Sequence, residues 1–209
     1  MKKNSVSQSV IRRLPRYFRY LSELSERGIT RISSKELSSM MKITASQIRQ
    51  DLNCFGGFGQ QGYGYNIEAL LSEIKTILGA DRRNTAIIIG MGNIGSALAK
   101  NMNFKKRGVF LIGLFDVSAN KIGKQYGGLE VKSSDELETF CRENHPDIAI
   151  LSLPKTLTQP MAKLLYSYGV KAFWNFASTE IDIDGASVEN VHMGDSLMLL
   201  CYDIANRKG

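Results

Sequence analysis

The sequence predicts two joined domains and a closing helix: a winged helix-turn-helix over residues 1–80, a doubly wound parallel α/β sheet over 84–193, and a last helix over 194–209. Three observations carry that reading. The excess positive charge sits in residues 1–60. Those residues hold amphipathic helical patterns that run into a glycine- and aromatic-rich segment. Beyond them, a short apolar run ends in Gly-Met-Gly-Asn-Ile-Gly, opens a helical pattern, and is followed by alternating strand-like and helix-like runs.

Residues 1–60 contain eleven Lys or Arg and four acids, whereas the remainder holds sixteen of each, so the whole net charge of +7 belongs to the head. A basic head on a neutral body points to a polyanionic partner. No apolar run reaches the ~20 residues of a membrane span. The start, MKKNSVSQS, lacks the apolar core of a signal peptide. Cys54, Cys141 and Cys201 are odd in number and widely spaced, with no metal-ligand pairing, as expected of a reducing cytoplasmic chain.

Within the head, Val10, Leu14, Tyr17, Leu21 and Leu24 recur at helical spacing, with Arg12, Arg16 and Arg19 on another face and Gly28 beyond the end. ISSKELSSMM begins a second helix, with Ser33 and Glu36 at capping-box spacing. ITASQIRQDLNCF begins a third, with Thr44 and Gln47 at the same spacing. Its apolar positions Ala45, Ile48, Leu52 and Phe55 leave Ser46, Gln47, Arg49, Gln50 and Asn53 facing outward. Arg pairs with guanine and Gln with adenine in the major groove, so double-stranded DNA is the expected polyanion. Arg49 is the main base reader, with Ser46, Gln47 and Gln50 beside it, and Arg12, Arg13 and Arg16 serve phosphates. The segment Gly56 to Tyr65 reads as the hairpin wing, bringing Gln60, Gln61 and Tyr63 to the DNA. Asn66 caps a helix with Ile67, Leu70, Leu71, Ile74 and Leu78 on its apolar face.

Ala86 to Ile89 is a buried strand. After it, Gly90 makes the turn, Gly92 lets backbone approach a pyrophosphate, and Gly95 lets helix and strand pack closely. The helix N-terminus, with the free N–H groups of Asn93 and Ile94, faces the phosphates. The next apolar run, Val109 to Phe115, ends at Asp116, where an acid holds an adenosine ribose and repels a 2′-phosphate. The expected ligand is therefore NAD(H) on a Rossmann-type fold, with a ligand-free or CoA-type version of the same fold as the alternative. Asp147–Leu151, Val170–Trp174 and Ser187–His192 supply further strands, Leu157–Tyr168 a helix, and Asp195–Ala205 a terminal helix too apolar to lie free in water.

An oxidoreductase is the alternative, and Cys54 could act as a thiol switch at the end of the third helix. The dinucleotide fold fills the chain after residue 84, leaving no substrate domain. No tyrosine has a lysine four residues on, and no cysteine is paired with a histidine in a nucleophile motif. The expectation is a binding protein and not an enzyme.

The order of parts resembles the Rex family of bacterial redox-sensing repressors over almost the whole chain. The segments RLPRYFRYL, ISSKELSSMMKITASQIRQDL, FGGFGQQGYGYNIEALLSEIKTILG, IIIGMGNIGSALA, FDVSANKIG, VKAFWNFAS and VENV carry the resemblance. It implies a homodimer on operator DNA, a C-terminal helix swapped between subunits, and loss of DNA affinity when NADH replaces NAD⁺. Several positions depart from the family pattern. Gln60-Gln61 replace a Lys-Arg pair in the wing, Ser178 replaces a proline, and Met193 a Leu or Phe. Asn101 replaces a tyrosine beside the nicotinamide, and His192 replaces the aspartate that meets that tyrosine from the other subunit. The resemblance therefore makes Asn101, His192 and Met193 candidates for a weakened NADH response.

Overall fold

The computed structural model describes residues 6–55, 59–60 and 63–207. The chain divides into two compact units, one ending at Arg82 and the other beginning at Arg83.

The first unit opens with α1 (Gln8–Ile11) and α2 (Leu14–Glu26). The single apolar face read from the sequence is present, but the helix is broken at Arg12–Arg13. Pro15 explains the break: it lacks an N–H, and inside a continuous helix its ring would clash with the carbonyl of Ile11. Near the helix start the same proline is tolerated. A short strand, β1 (Arg31–Ile32), leads to α3 (Ser34–Met41) and α4 (Ala45–Asn53). Ser33 caps α3 as expected: its hydroxyl accepts from the Glu36 N–H, and the Glu36 carboxylate accepts from the Ser33 N–H. Thr44 caps α4 by accepting from the Gln47 N–H. The reciprocal half of that box is absent because the Gln47 side chain donates elsewhere.

Strands β2 (Gly59–Gln60) and β3 (Gly64–Asn66) pair antiparallel, and β3 also pairs with β1, giving a three-stranded sheet in the order β1-β3-β2. This is the wing. Gln61 lies outside the described residues, and only the backbone of Gln60 is described. Gly64 has a φ of +70°, and a Cβ there would stand 2.6 Å from the Ile32 carbonyl oxygen, so the β1–β3 contact requires glycine. Asn66 caps α5 (Ile67–Ile77) through the Ala69 N–H. The unit closes on one core in which Leu14, Tyr17, Leu21, Leu37, Met41, Ile48, Leu52, Ile67, Leu70 and Ile74 are buried.

The second unit alternates strand and helix. In order come β4 (Asn84–Ile89), α6 (Asn93–Asn101), β5 (Val109–Asp116), the hairpin β6 (Gln125–Tyr126) and β7 (Leu129–Ser133), and α7 (Leu137–Asn144). They are followed by β8 (Ile148–Leu151), α8 (Lys155–Ser167), β9 (Ala172–Asn175), β10 (Ser187–Asn190) and α9 (Met193–Asn206). The seven-stranded sheet runs β10-β9-β8-β4-β5-β7-β6 and is parallel except for β6. Taken without β6, that order is 3-2-1-4-5-6, the doubly wound arrangement with its switch point between β4 and β8. Alternate residues along β4 feed two cores. Ile87 and Ile89 pack with α7 and α8, while Ala86 and Ile88 pack on the other face with Ala99 of α6.

The sequence reading passed over the β6–β7 hairpin and α7. Between β9 and β10, residues 176–186 form no helix. Helix α9 buries none of its residues within the chain. Met193, Leu197, Met198, Leu199, Leu200, Tyr202 and Ile204 are all exposed on it. A helix with so wide an apolar face left bare is one that another surface covers.

Candidate functional site

The parallel strands β4, β5 and β8 end together at the switch point, where ligands of this fold bind. A cavity of about 520 Å³ opens there. Gly90, Gly92, Asp116 and Ser152 contribute to its floor, and Val117, Leu153, Pro154, Leu157, Met161 and Leu164 give it apolar walls. A flat aromatic base fits such walls, and the polar edge suits a ribose phosphate.

The three glycines differ in why they are glycine. Gly90 sits at φ +92°, and a Cβ there would be 2.5 Å from the Ser152 carbonyl oxygen. At Gly95 a Cβ would be 2.0 Å from the Gly90 carbonyl oxygen and 2.7 Å from Ser152 Oγ. These two are demanded by the protein's own packing. At Gly92 the backbone is ordinary and nothing lies within 4 Å of an added Cβ. The space beside it is free for a ligand's close approach. Gly92 is also the N-cap of α6 and has no side chain to cap with, so the N–H groups of Asn93 and Ile94 stay open to an anion.

Asp116 closes the end of β5. One carboxylate oxygen accepts from the Met91 N–H at 2.6 Å and the other from the Ser118 N–H at 2.8 Å. An ionised carboxylate offers about four lone-pair sites, so two remain beyond these bonds among the described residues. Asp116 thus ties the glycine turn to the end of β5 as well as lining the cavity. Sequence reasoning missed Ser152. Its hydroxyl donates to the Gly90 carbonyl at 2.6 Å and braces the turn from below. Its only signal was a small hydroxyl residue directly after a buried strand.

In the first unit, α4 presents Ser46, Arg49 and Gln50 to solvent, and Arg12 is exposed near α2. The Arg49 guanidinium makes an exposed hydrogen bond to Ser34 Oγ at 3.2 Å. Tyr63 is exposed at the wing, and its carbonyl accepts from Arg31 at 3.4 Å. Three other expected contacts are turned inward. Arg16 donates to the Met41 carbonyl at the end of α3. Arg13 and Gln47 both donate to Asp51. Asp51, an acid to which the sequence assigned no role, is buried within the unit. Burial opposes its charge, but hydrogen bonds from Arg13, Gln47 and Tyr17 prevail and hold its carboxyl below the usual carboxylate range. The same burial and contact push the Tyr17 phenol up. Cys54 ends α4 exposed, with its thiol on the Gln50 carbonyl.

Asn101 ends α6 exposed, His192 is the half-exposed N-cap of α9, and Met193 begins that helix. Among the described residues, neither Asn101 nor His192 makes a side-chain hydrogen bond. No group of described residues could hold a metal ion. No helix among them is long and apolar enough to cross a membrane.

Comparison with known proteins matches both halves. Residues 5–53 match a family model described as "Putative DNA-binding protein N-terminus", and residues 81–179 one described as "CoA binding domain". The redox-sensing transcriptional repressor Rex of Caldicellulosiruptor saccharolyticus is 49% identical over 97% of this chain and 93% of its own. Two crystal structures of RSP superpose closely. One, in complex with β-NAD⁺ and operator DNA, is 48% identical, covers 95% of this chain and 92% of its own, and gives a TM-score of 0.87. The other, in complex with β-NADH, is 45% identical, covers 96% and 95%, and gives a TM-score of 0.86. With a DNA-reading head, a dinucleotide fold and relatives this similar over nearly their full length, the chain belongs to the Rex family of redox-sensing transcriptional repressors.

Proposed function

We propose that the protein is a homodimeric repressor that holds operator DNA with its first unit and lets go when NADH occupies its second. The observation that carries this is the joining of two sites in one chain: an α4 face bearing Ser46, Arg49 and Gln50, and a glycine turn closed by Asp116. Arg49 reads bases, Arg12 meets phosphates, and Gly90, Gly92, Asn93, Ile94, Gly95 and Asp116 hold the dinucleotide. Its nicotinamide would supply the difference between the oxidised and reduced states that the protein senses. The relatives are named as repressors, and the cavity's polar side chains are Asp116 and the Ser134 and Ser152 hydroxyls, so these residues favour binding the dinucleotide over hydride transfer to a substrate. The protein works in the cytoplasm, where its DNA partner lies.

The apolar face of α9 supports dimerisation, with the helix exchanged between subunits as the family resemblance implies. Asn101 and His192 favour a weakened release, since an amide facing an imidazole lacks the charge-assisted bond of a tyrosine with a carboxylate. The CoA-type description of residues 81–179 fits the fold, but the carboxylate at the end of β5 favours a ribose with free hydroxyls.

The test is calorimetry with NADH and NADPH. The unmodified protein should bind NADH at least tenfold more tightly. Asp116→Asn should narrow that gap while weakening NADH binding. Equal affinity for NADPH in the unmodified protein would remove Asp116 from the ribose site.

A further inference from the structure

The Asp51 carboxylate lies on the same helix as the base-reading residues, yet it is 1% exposed and accepts four hydrogen bonds. On one oxygen are Arg13 Nη2 at 2.7 Å and Gln47 Nε2 at 2.8 Å. On the other are Arg13 Nε at 2.7 Å and the Tyr17 hydroxyl at 3.0 Å. All of its roughly four lone-pair sites are filled. The bidentate Arg13 contact is the strong, planar kind.

Two of these donors are residue types that engage DNA. Gln47 stands in the first turn of α4, the part of a recognition helix that enters the major groove. Arg13 precedes α2 and is 31% exposed, near enough to solvent to find a phosphate if released. Both are occupied within the protein.

We infer that Asp51 is a specificity-determining positioning residue: it withholds Arg13 and Gln47 from DNA, so that base reading rests on Ser46, Arg49 and Gln50. This deepens the DNA-binding function proposed above and rests on it. The physical logic is negative selection. A free guanidinium adds a phosphate contact that strengthens every sequence alike, and a free amide in the groove accepts bases the operator does not present. Tying both to one buried carboxylate removes indiscriminate attraction. It also fastens α4 to the start of α2, which fixes the angle at which the helix is offered.

The experiment measures affinity for an operator duplex and for a scrambled duplex of equal length, each across a salt series, with a thermal melt of every variant. In Asp51→Asn the neutral amide cannot hold both donors. We expect scrambled-DNA affinity to rise and the operator preference to fall about tenfold. The salt slope on scrambled DNA should steepen by about two units, roughly 0.9 for the phosphate contact added by each subunit of the dimer. Adding Arg13→Met to Asp51→Asn should return the slope to its original value.

An unchanged slope and preference in Asp51→Asn would overturn the inference. So would a parallel loss on both duplexes, which is what a merely structural role gives. Should Asp51→Asn fail to fold, the paired change Arg13→Met with Asp51→Leu decides, because an apolar pair can replace a buried ion pair. An unchanged slope supports withholding, and a slope shallower by about two units, one contact from each subunit, shows that Arg13 already contacts phosphate and overturns it. If the unmodified protein shows no operator preference, the DNA-binding assignment itself fails. A preference left intact by Asp51→Asn defeats this inference alone.

Discussion

Gly95→Ala is expected to weaken dinucleotide binding strongly and to destabilise the second unit. The added methyl would stand 2.0 Å from the Gly90 carbonyl oxygen and 2.7 Å from Ser152 Oγ. A backbone carbonyl cannot swing aside as the end of a long side chain can, so α6 or the turn must move. Overpacking of this kind costs about 1–3 kcal/mol. Moving the turn also spoils the N–H geometry at Asn93 and Ile94, and NADH affinity should fall about a hundredfold, or roughly 2.7 kcal/mol. Gly92→Ala is the informative partner. Its methyl meets nothing within 4 Å. It should therefore melt like the unmodified protein yet lose NADH affinity, because the methyl occupies the space left for the pyrophosphate. Calorimetry and thermal melts on both variants separate the two effects. Normal NADH binding by Gly92→Ala would show that the pyrophosphate does not approach there.

Leu197→Asp with Leu200→Asp is expected to yield monomers. The two positions are three apart on α9 and so neighbour each other on one side of the helix. In the isolated chain they are 62% and 53% exposed, which no stable monomer surface would choose for leucines amid five further large apolar residues. Charges there oppose the contact that covers the helix. A dimer gains from holding two half-sites at once, typically 10²–10⁴-fold. Operator affinity of the variant should fall within that range, with the head's own fold and melting unchanged. Light scattering gives the mass and electrophoretic shift the affinity. A variant that stays dimeric at full affinity would place the subunit contact elsewhere.

Much of this architecture was readable in the sequence because period and punctuation agree locally. Strand, glycine turn and helix at Ala86–Lys100 follow one another with no competing pattern, and Ser33, Thr44 and Asn66 each cap the helix they precede. Less readable were features set by partners distant in sequence. Asp51 falls at a charged position of a polar helix. The approach of Arg13 and Tyr17, thirty-eight and thirty-four residues earlier, makes it a buried acceptor, to which Gln47 turns from within the same helix. Helix α7 escaped notice because its apolar anchors, Leu137 and Cys141, are few and lie among polar residues. Ser152 gives no pattern at all, since its role depends on a carbonyl sixty-two residues away.

Coupling between the two units is read most directly from the affinity of the unmodified dimer for a Rex-family operator duplex, by electrophoretic shift, with saturating NADH and separately with saturating NAD⁺. A ligand shifts the protein between its DNA-binding and released states only through its differential affinity for them. Such coupling should give firm binding with NAD⁺ and at least threefold weaker binding with NADH. Equal operator affinity with the two nucleotides would contradict it.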